Sequence, residues 1–228
     1  MSTLTTLLQT SSIITSLLAA GGIATLTFFV VPILQSQPTS RSLPAMRWLF
    51  SRGSHVFPTA ALISAAGFGA LALQSLPLVS WRQLWREVAT LGIRAMSARA
   101  PGYAAAALLC LSIGPYTGVV MLPNNFALIK LNADEGGSRS AHSAEVRSPS
   151  GAATGKEEKS ALGSVEGEGE ADEFKDLSGP QEKTRRDGGT GANDEKVRAM
   201  LGKFGRQNLV RAVLMGSGGM LGLLTALM

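Results

Sequence analysis

The sequence predicts an all-α membrane protein: a bundle of four transmembrane helices, an interfacial amphipathic helix, and a long disordered polar loop between spans three and four. Three observations predict it. The 228 residues are 45% apolar and only 16% charged, against about a quarter charged in a typical soluble domain. The charge is missing in blocks. None precedes Arg41, none lies between residues 100 and 129, none follows Arg211, and His55 is the one titratable group between residues 53 and 81. Three of these blocks exceed the ~20 mostly apolar residues that a spanning helix needs, and the last falls just short. Finally, residues 132–195 have the opposite composition, rich in Gly, Ser, Glu and Lys with Phe174 as their only aromatic.

Span one is expected over residues 7–34, "LLQTSSIITSLLAAGGIATLTFFVVPIL". Its centre is small (Ala19, Ala20, Gly21, Gly22), which lets a neighbouring helix approach closely, and Pro32 marks its exit. It lacks a basic n-region and is too long for a cleaved signal peptide, so it is expected to be retained. Residues 35–52 read as a boundary loop, with Arg41, Arg47 and Arg52 beside Trp48 and Phe50. Span two follows over residues 55–76, with Pro58 expected in its first turn, where a missing N–H costs little.

The stretch "SWRQLWREVATLGIRAM" repeats Trp81, Leu84, Trp85 and Val88 at helical spacing, with Arg82 and Arg86 on other sides. An interfacial helix over residues 80–97 fits that pattern, because tryptophans favour the headgroup level. Span three is expected over residues 103–122. Pro115 interrupts it, so a carbonyl one turn earlier needs a donor from elsewhere.

Residues 132–195 hold 8 basic and 15 acidic side chains, a net charge of −7, which leaves +12 on the rest of a chain whose total is +5. So few apolar residues cannot offset the entropy of ordering, and a disordered loop is expected. The basic remainder hugs the spans, as anionic lipid would favour. Positive-inside reasoning puts this loop in the cytosol and both termini on the other side. Span four is expected from about Asn208, with Arg211 snorkelling or pairing inward, and Gly218 and Gly222 four apart as a packing spacing. The domain boundaries are thus 1–131 for three spans and the interfacial helix, 132–195 for the acidic loop, and 196–228 for a basic juxtamembrane segment and the fourth span.

Little polar chemistry remains inside the spans: His55, Gln74, Tyr103, Tyr116, Thr117, Asn124, Asn125, Asn208 and Arg211. With no carboxylate among them, a carboxylate proton relay and a voltage sensor are disfavoured. The single Cys110 offers no disulfide and no metal-ligand pair, and reads as a buried small hydrophobe. There is no phosphate-binding glycine loop and no nucleophile–base pair close in sequence. His55 opens span two, Asn124 and Asn125 close span three, and Asn208 and Arg211 open span four. Alternating spans bring these ends to one membrane face, where an imidazole, amides and a guanidinium meet. Each also has a plainer role, as interfacial histidine, helix cap or interhelical glue, and boundary anchor.

"GPYTGVVMLPNNFALIKL" resembles the P-x-T…P-x-N-x-x-L pattern of the anthrone oxygenase-like (DUF1772) family of small four-span proteins. "FGRQNLVRAVL" resembles that family's W-x-x-x-N-x-x-R segment, and "MRWLFSRGSHVFP" its W-x-x-x-x-x-G-x-x-x-x-P segment. The matching positions are Trp48, Gly53, Pro58, Pro115, Thr117, Pro123, Asn125, Leu128, Asn208 and Arg211. Phe204 stands where tryptophan is usual.

The resemblance implies oxidation of a polyketide anthrone to an anthraquinone by O2, without a bound cofactor, in secondary metabolism. The implied partners are a small hydrophobic aromatic substrate, O2 and the lipid bilayer, with no nucleic acid and with homo-oligomerisation open. The implied location is the endoplasmic reticulum or another endomembrane. For that chemistry His55 is the candidate base, since its unperturbed pKa suits the task. Asn125, Asn208 and Arg211 are candidate catalytic donors to a developing oxyanion, assisted by Asn124, while Trp48, Tyr116 and Thr117 are candidates for holding the substrate. A non-enzymatic tetraspan scaffold and a small-molecule exporter component are the rival readings.

Overall fold

A computed structural model describes residues 2–76, 99–147, 178–185 and 191–228. Eight α-helices are described: α1 (Thr3–Thr25), α2 (Val31–Gln35), α3 (Thr39–Gln74), α4 (Arg99–Leu111), α5 (Ile113–Tyr116), α6 (Leu122–Asp134), α7 (Ala141–Arg147) and α8 (Gly191–Leu227). No strand occurs among the described residues. Four continuous helical stretches are long and apolar enough to cross a membrane: Thr3–Gln35, Thr39–Gln74, Arg99–Asp134 and Asn193–Leu227. The four-span fold class is therefore as the charge gaps predict.

Two of these stretches change register internally. Leu26–Val30 and Thr117–Met121 are π-helical turns, and each is followed two residues later by a proline, Pro32 and Pro123. In an α-helix a proline ring collides with the carbonyl four residues earlier, and the proline offers no N–H. Widening the preceding turn moves that carbonyl aside. Val31 shows the altered register, donating its N–H to the Leu26 carbonyl five residues back.

The helices run well past the apolar blocks. The second stretch has 36 residues, about 54 Å at 1.5 Å per residue, against roughly 30 Å of hydrocarbon. Residues 39–52, expected as loop, are helical, and Pro58 lies deep inside α3 rather than in its first turn. Hydropathy marks only the part of a helix that lipid would surround. α6 likewise continues to Asp134, α7 lies within the segment expected to be disordered, and α8 starts at Gly191. The expected interfacial helix at 80–97 lies outside the described residues, as do residues 148–177 of the acidic loop.

The chain divides into two compact units. Unit one is Met1–Ala24, Pro58–Tyr116 and Val210–Met228; unit two is Thr25–Phe57 and Thr117–Leu209. In unit one, Phe68, Leu71, Tyr103, Ala106, Cys110, Ile113 and Met215 pack with Ala19, Ala20 and Ala61 into a buried cluster. Cys110 is buried, as its apolar surroundings predict. Its neighbour Ser16 donates its hydroxyl to the Met215 carbonyl at 2.7 Å. Glycine permits this approach. A Cβ at Gly218 would meet Cys110 Sγ at 2.6 Å, and one at Gly222 would lie 2.3 Å from Phe68 Cε1. The expected packing role of Gly218 and Gly222 is realised in these contacts.

In unit two, polar side chains tie the ends of helices together. Both the N–H and the hydroxyl of Thr39 donate to the Asp194 carboxylate. Gln35 Nε2 donates to the Arg198 carbonyl at 2.8 Å, and Arg198 Nε returns a bond to the Gln35 carbonyl at 3.1 Å. The Thr184 N–H donates to the Ser40 carbonyl, and the Ala141 N–H to the Gly179 carbonyl. A stretch of the polar insert is thus bonded to the start of α3.

Candidate functional site

Unit two holds six of the eight predicted site residues: Trp48 and His55 on α3, Thr117 on the second π turn, Asn124 and Asn125 on α6, and Asn208 on α8. Tyr116 and Arg211 belong to unit one. Asn124, Asn125, Asn208 and Arg211 are buried, while Trp48, His55, Tyr116 and Thr117 are half-buried.

The paired asparagines do not cap the end of span three. They sit in the first turn of α6, whose helical path continues to Asp134. Asn124 acts across helices, its Nδ2 donating to the Met200 carbonyl on α8 at 3.2 Å. Asn208 Nδ2 donates to the Phe204 carbonyl one turn back at 3.2 Å. Asn125 differs: its Oδ1 is buried and has no hydrogen-bond partner among the described residues. An orphaned acceptor of this kind costs roughly 1–3 kcal/mol. Its carbonyl is therefore suited to accept a hydrogen bond from a ligand hydroxyl, with the amide nitrogen as a donor.

The aromatics of the motifs are placed by packing. Phe204 meets Phe50 edge to face, with ring centroids 5.3 Å apart at 82°. The smaller ring standing in for tryptophan still has an aromatic partner. Trp48 donates its indole N–H to the Ser178 carbonyl at 3.1 Å and carries the Arg52 guanidinium 5.0 Å above its ring. One face of the indole is thus covered by a cation.

Two groups of residues were not visible as functional from sequence. Gln207, one position before Asn208, donates Nε2 to the Val120 carbonyl at 2.8 Å, inside the second π turn. The sequence asks for an outside donor one turn before Pro115, and nothing in it points to Val120 or to a donor 87 residues away. Gln9 and Tyr103 form a buried hydrogen bond of 2.7 Å in unit one and line a cavity of ≈ 350 Å³ there. Two polar side chains in otherwise apolar helices were the available signal.

The fold defines the class first: an integral membrane protein in which polar side chains such as Gln9, Asn124 and Gln207 bond helix to helix. Residues 46–150 match the family model described as anthrone oxygenase. That is the family that the chain's motifs resemble, and the match spans just under half of the chain. The match takes in Trp48, His55, Tyr116, Thr117, Asn124 and Asn125, and ends before Asn208 and Arg211. No curated protein and no solved structure matches the chain.

Proposed function

We propose that the protein is a cofactor-independent oxygenase that converts a polyketide anthrone to an anthraquinone with O2, in secondary metabolism at the endoplasmic reticulum or another endomembrane. The family match across residues 46–150 carries this reading. The orphaned, buried Asn125 Oδ1 supports it, because a phenolic substrate brings the hydroxyl donor that this oxygen lacks.

The reaction balances without a metal or an organic cofactor. A base removes one methylene proton from the anthrone, leaving an anion delocalised over both rings and the carbonyl oxygen. The anion passes one electron to O2, and the resulting superoxide and carbon radical couple to a C–O bond. After protonation the peroxide loses water, taking the second methylene hydrogen, and a new carbonyl remains. One oxygen atom stays in the quinone and the other leaves as water. In this proposal His55 is the base, and Asn125 and Asn208 bind the developing oxyanion, with Asn124 setting the α6–α8 spacing. Trp48 and Thr117 border the substrate. The parts proposed for Arg211 and Tyr116 rest on the sequence alone.

The test is oxygen uptake by the detergent-purified protein with a dihydroxyanthrone. The expected result is consumption above spontaneous autoxidation, one O2 per quinone formed, and one atom of ¹⁸O from ¹⁸O2 in the product. His55→Ala is expected to lower turnover ~10²-fold or more, the usual scale for a lost general base. Absence of protein-dependent uptake would remove the oxygenase reading. Unchanged turnover in His55→Ala would remove His55 as the base alone.

A further inference from the structure

We infer that unit one carries a binding site for a phosphate oxyanion, in the cavity formed by the start of α1, the end of α3 and the start of α4. The cavity measures ≈ 350 Å³, and its polar lining is Thr5, Gln9, Gln74, Ser75, Arg99 and Tyr103. That volume holds a phosphate group together with the first atoms of whatever it esterifies.

The hydrogen-bond inventory gives the sign of the ligand. Gln9 Nε2 donates to Tyr103 Oη at 2.7 Å, so the phenol is already an acceptor and its own proton remains to be given. The Tyr103 ring lies near-parallel to Phe68, with centroids 6.4 Å apart at 15°, which fixes the direction of the hydroxyl. Thr5 Oγ1 donates to Gln74 Oε1 at 3.4 Å, which leaves the Gln74 amide nitrogen as a second donor. The Ser75 hydroxyl proton goes to the Leu71 carbonyl at 2.7 Å, so Ser75 adds no donor, and the donors left to a ligand are Tyr103, the Gln74 amide nitrogen and Arg99.

Arg99 adds a guanidinium, exposed at the edge of the cavity and without an ion-pair partner among the described residues. Among the described residues no carboxylate lines the cavity. The site therefore offers an excess of donors and one net positive charge. An acceptor-only anion completes it, and the fork of an arginine suits phosphate oxygens. α1 begins and α3 ends here, so in a bilayer the cavity falls at the ends of two apolar spans, where headgroup phosphate is the abundant oxyanion.

The experiment uses the full chain in detergent micelles, titrated with phosphatidic acid, with diacylglycerol of the same tails, and with inorganic phosphate, and read by native mass spectrometry. Phosphatidic acid is expected to bind at least about tenfold more tightly than diacylglycerol, since only it brings the charged acceptor. Arg99→Gln is expected to weaken it ~10-fold and Arg99→Lys only about two- to threefold, because lysine keeps the charge without the fork. Tyr103→Phe is expected to weaken it about threefold by removing one donor.

Displacement of the lipid by millimolar inorganic phosphate, with the same dependence on Arg99, would support the site with free phosphate as its ligand. Failure to displace would support it with the lipid as its ligand. Equal binding of phosphatidic acid and diacylglycerol, or wild-type binding by both Arg99→Gln and Tyr103→Phe, would overturn the site. None of these readouts depends on oxygen uptake, so this site and the oxygenase reading fail separately.

Discussion

At the scale of single residues, the smallest side chains set the tightest contacts. Gly222 leaves room for the Phe68 ring, and a methyl there would sit 2.3 Å from Cε1. Phe68 is fully buried and stacked on Tyr103, so it has little freedom to move away. Gly222→Ala is therefore expected to destabilise the protein by about 1–3 kcal/mol, the usual cost of overpacking. Gly69 is the control. It lies in α3 with nothing within 4 Å of an added Cβ. Gly69→Ala is expected to be neutral or to stabilise by about 0.5–1 kcal/mol through helix propensity. Thermal unfolding in one detergent compares the two, and equal melting temperatures would remove the steric account. The sequence exposed this spacing through Gly218 and Gly222, four apart. It could not say what they pack against, because Phe68 and Cys110 are more than a hundred residues away in the chain.

At the scale of elements, the charge gaps located four helices but not their ends. Lipid contact requires apolar side chains, so the membrane portion of a helix is written in composition. The projecting portions are held by partners instead, such as Asp194 on Thr39 and Arg198 on Gln35, each about 155 residues or more apart in sequence. No local pattern announces such pairs. Of the two readings of Asn124, helix cap and interhelical glue, its bond to the Met200 carbonyl 76 residues away selects the second, and the partner itself was not legible.

The π turns each stand two residues before a proline, yet the sequence reads Pro32 only as an exit and Pro115, not Pro123, as the interruption of span three. Pro123, two residues past the second of them, gives no N–H to the carbonyl four residues back, and Gln207 donates to the neighbouring Val120 carbonyl inside the turn. Gln207→Leu is expected to cost about 1 kcal/mol, in line with interhelical hydrogen bonds in membranes. In a Pro123→Ala background the turn regains an N–H and can tighten, so the same Gln207 substitution is expected to cost roughly half as much or less. A double-mutant cycle by unfolding in mixed micelles measures the difference. Strict additivity would mean that Gln207 does not compensate for the proline.

At the scale of the whole molecule, the acidic insert separates an enzyme from a scaffold. Composition alone suggests removing everything from about residue 140 to 190. The structure narrows that choice. Residues 178–185 are bonded to α3, through Trp48 on the Ser178 carbonyl and the Thr184 N–H on the Ser40 carbonyl, and α7 is tied to Gly179 by Ala141. A deletion through these residues strips bonds from unit two, which holds His55, Asn125 and Asn208, and confounds loss of a docking loop with loss of helix ends. Replacing only residues 148–177 with a short glycine–serine linker spares every bond named here. That linker is feasible because the Ala141 N–H and Gly179 carbonyl already lie 2.9 Å apart. If the protein acts as an oxygenase, anthrone-dependent oxygen uptake by this variant is expected to stay within about twofold of the full chain, since the bonds that hold unit two together are kept. If the protein works by presenting its acidic segment to a partner, uptake is absent in both forms, and the shortened chain fails to restore the phenotype of a deletion strain that the full chain restores.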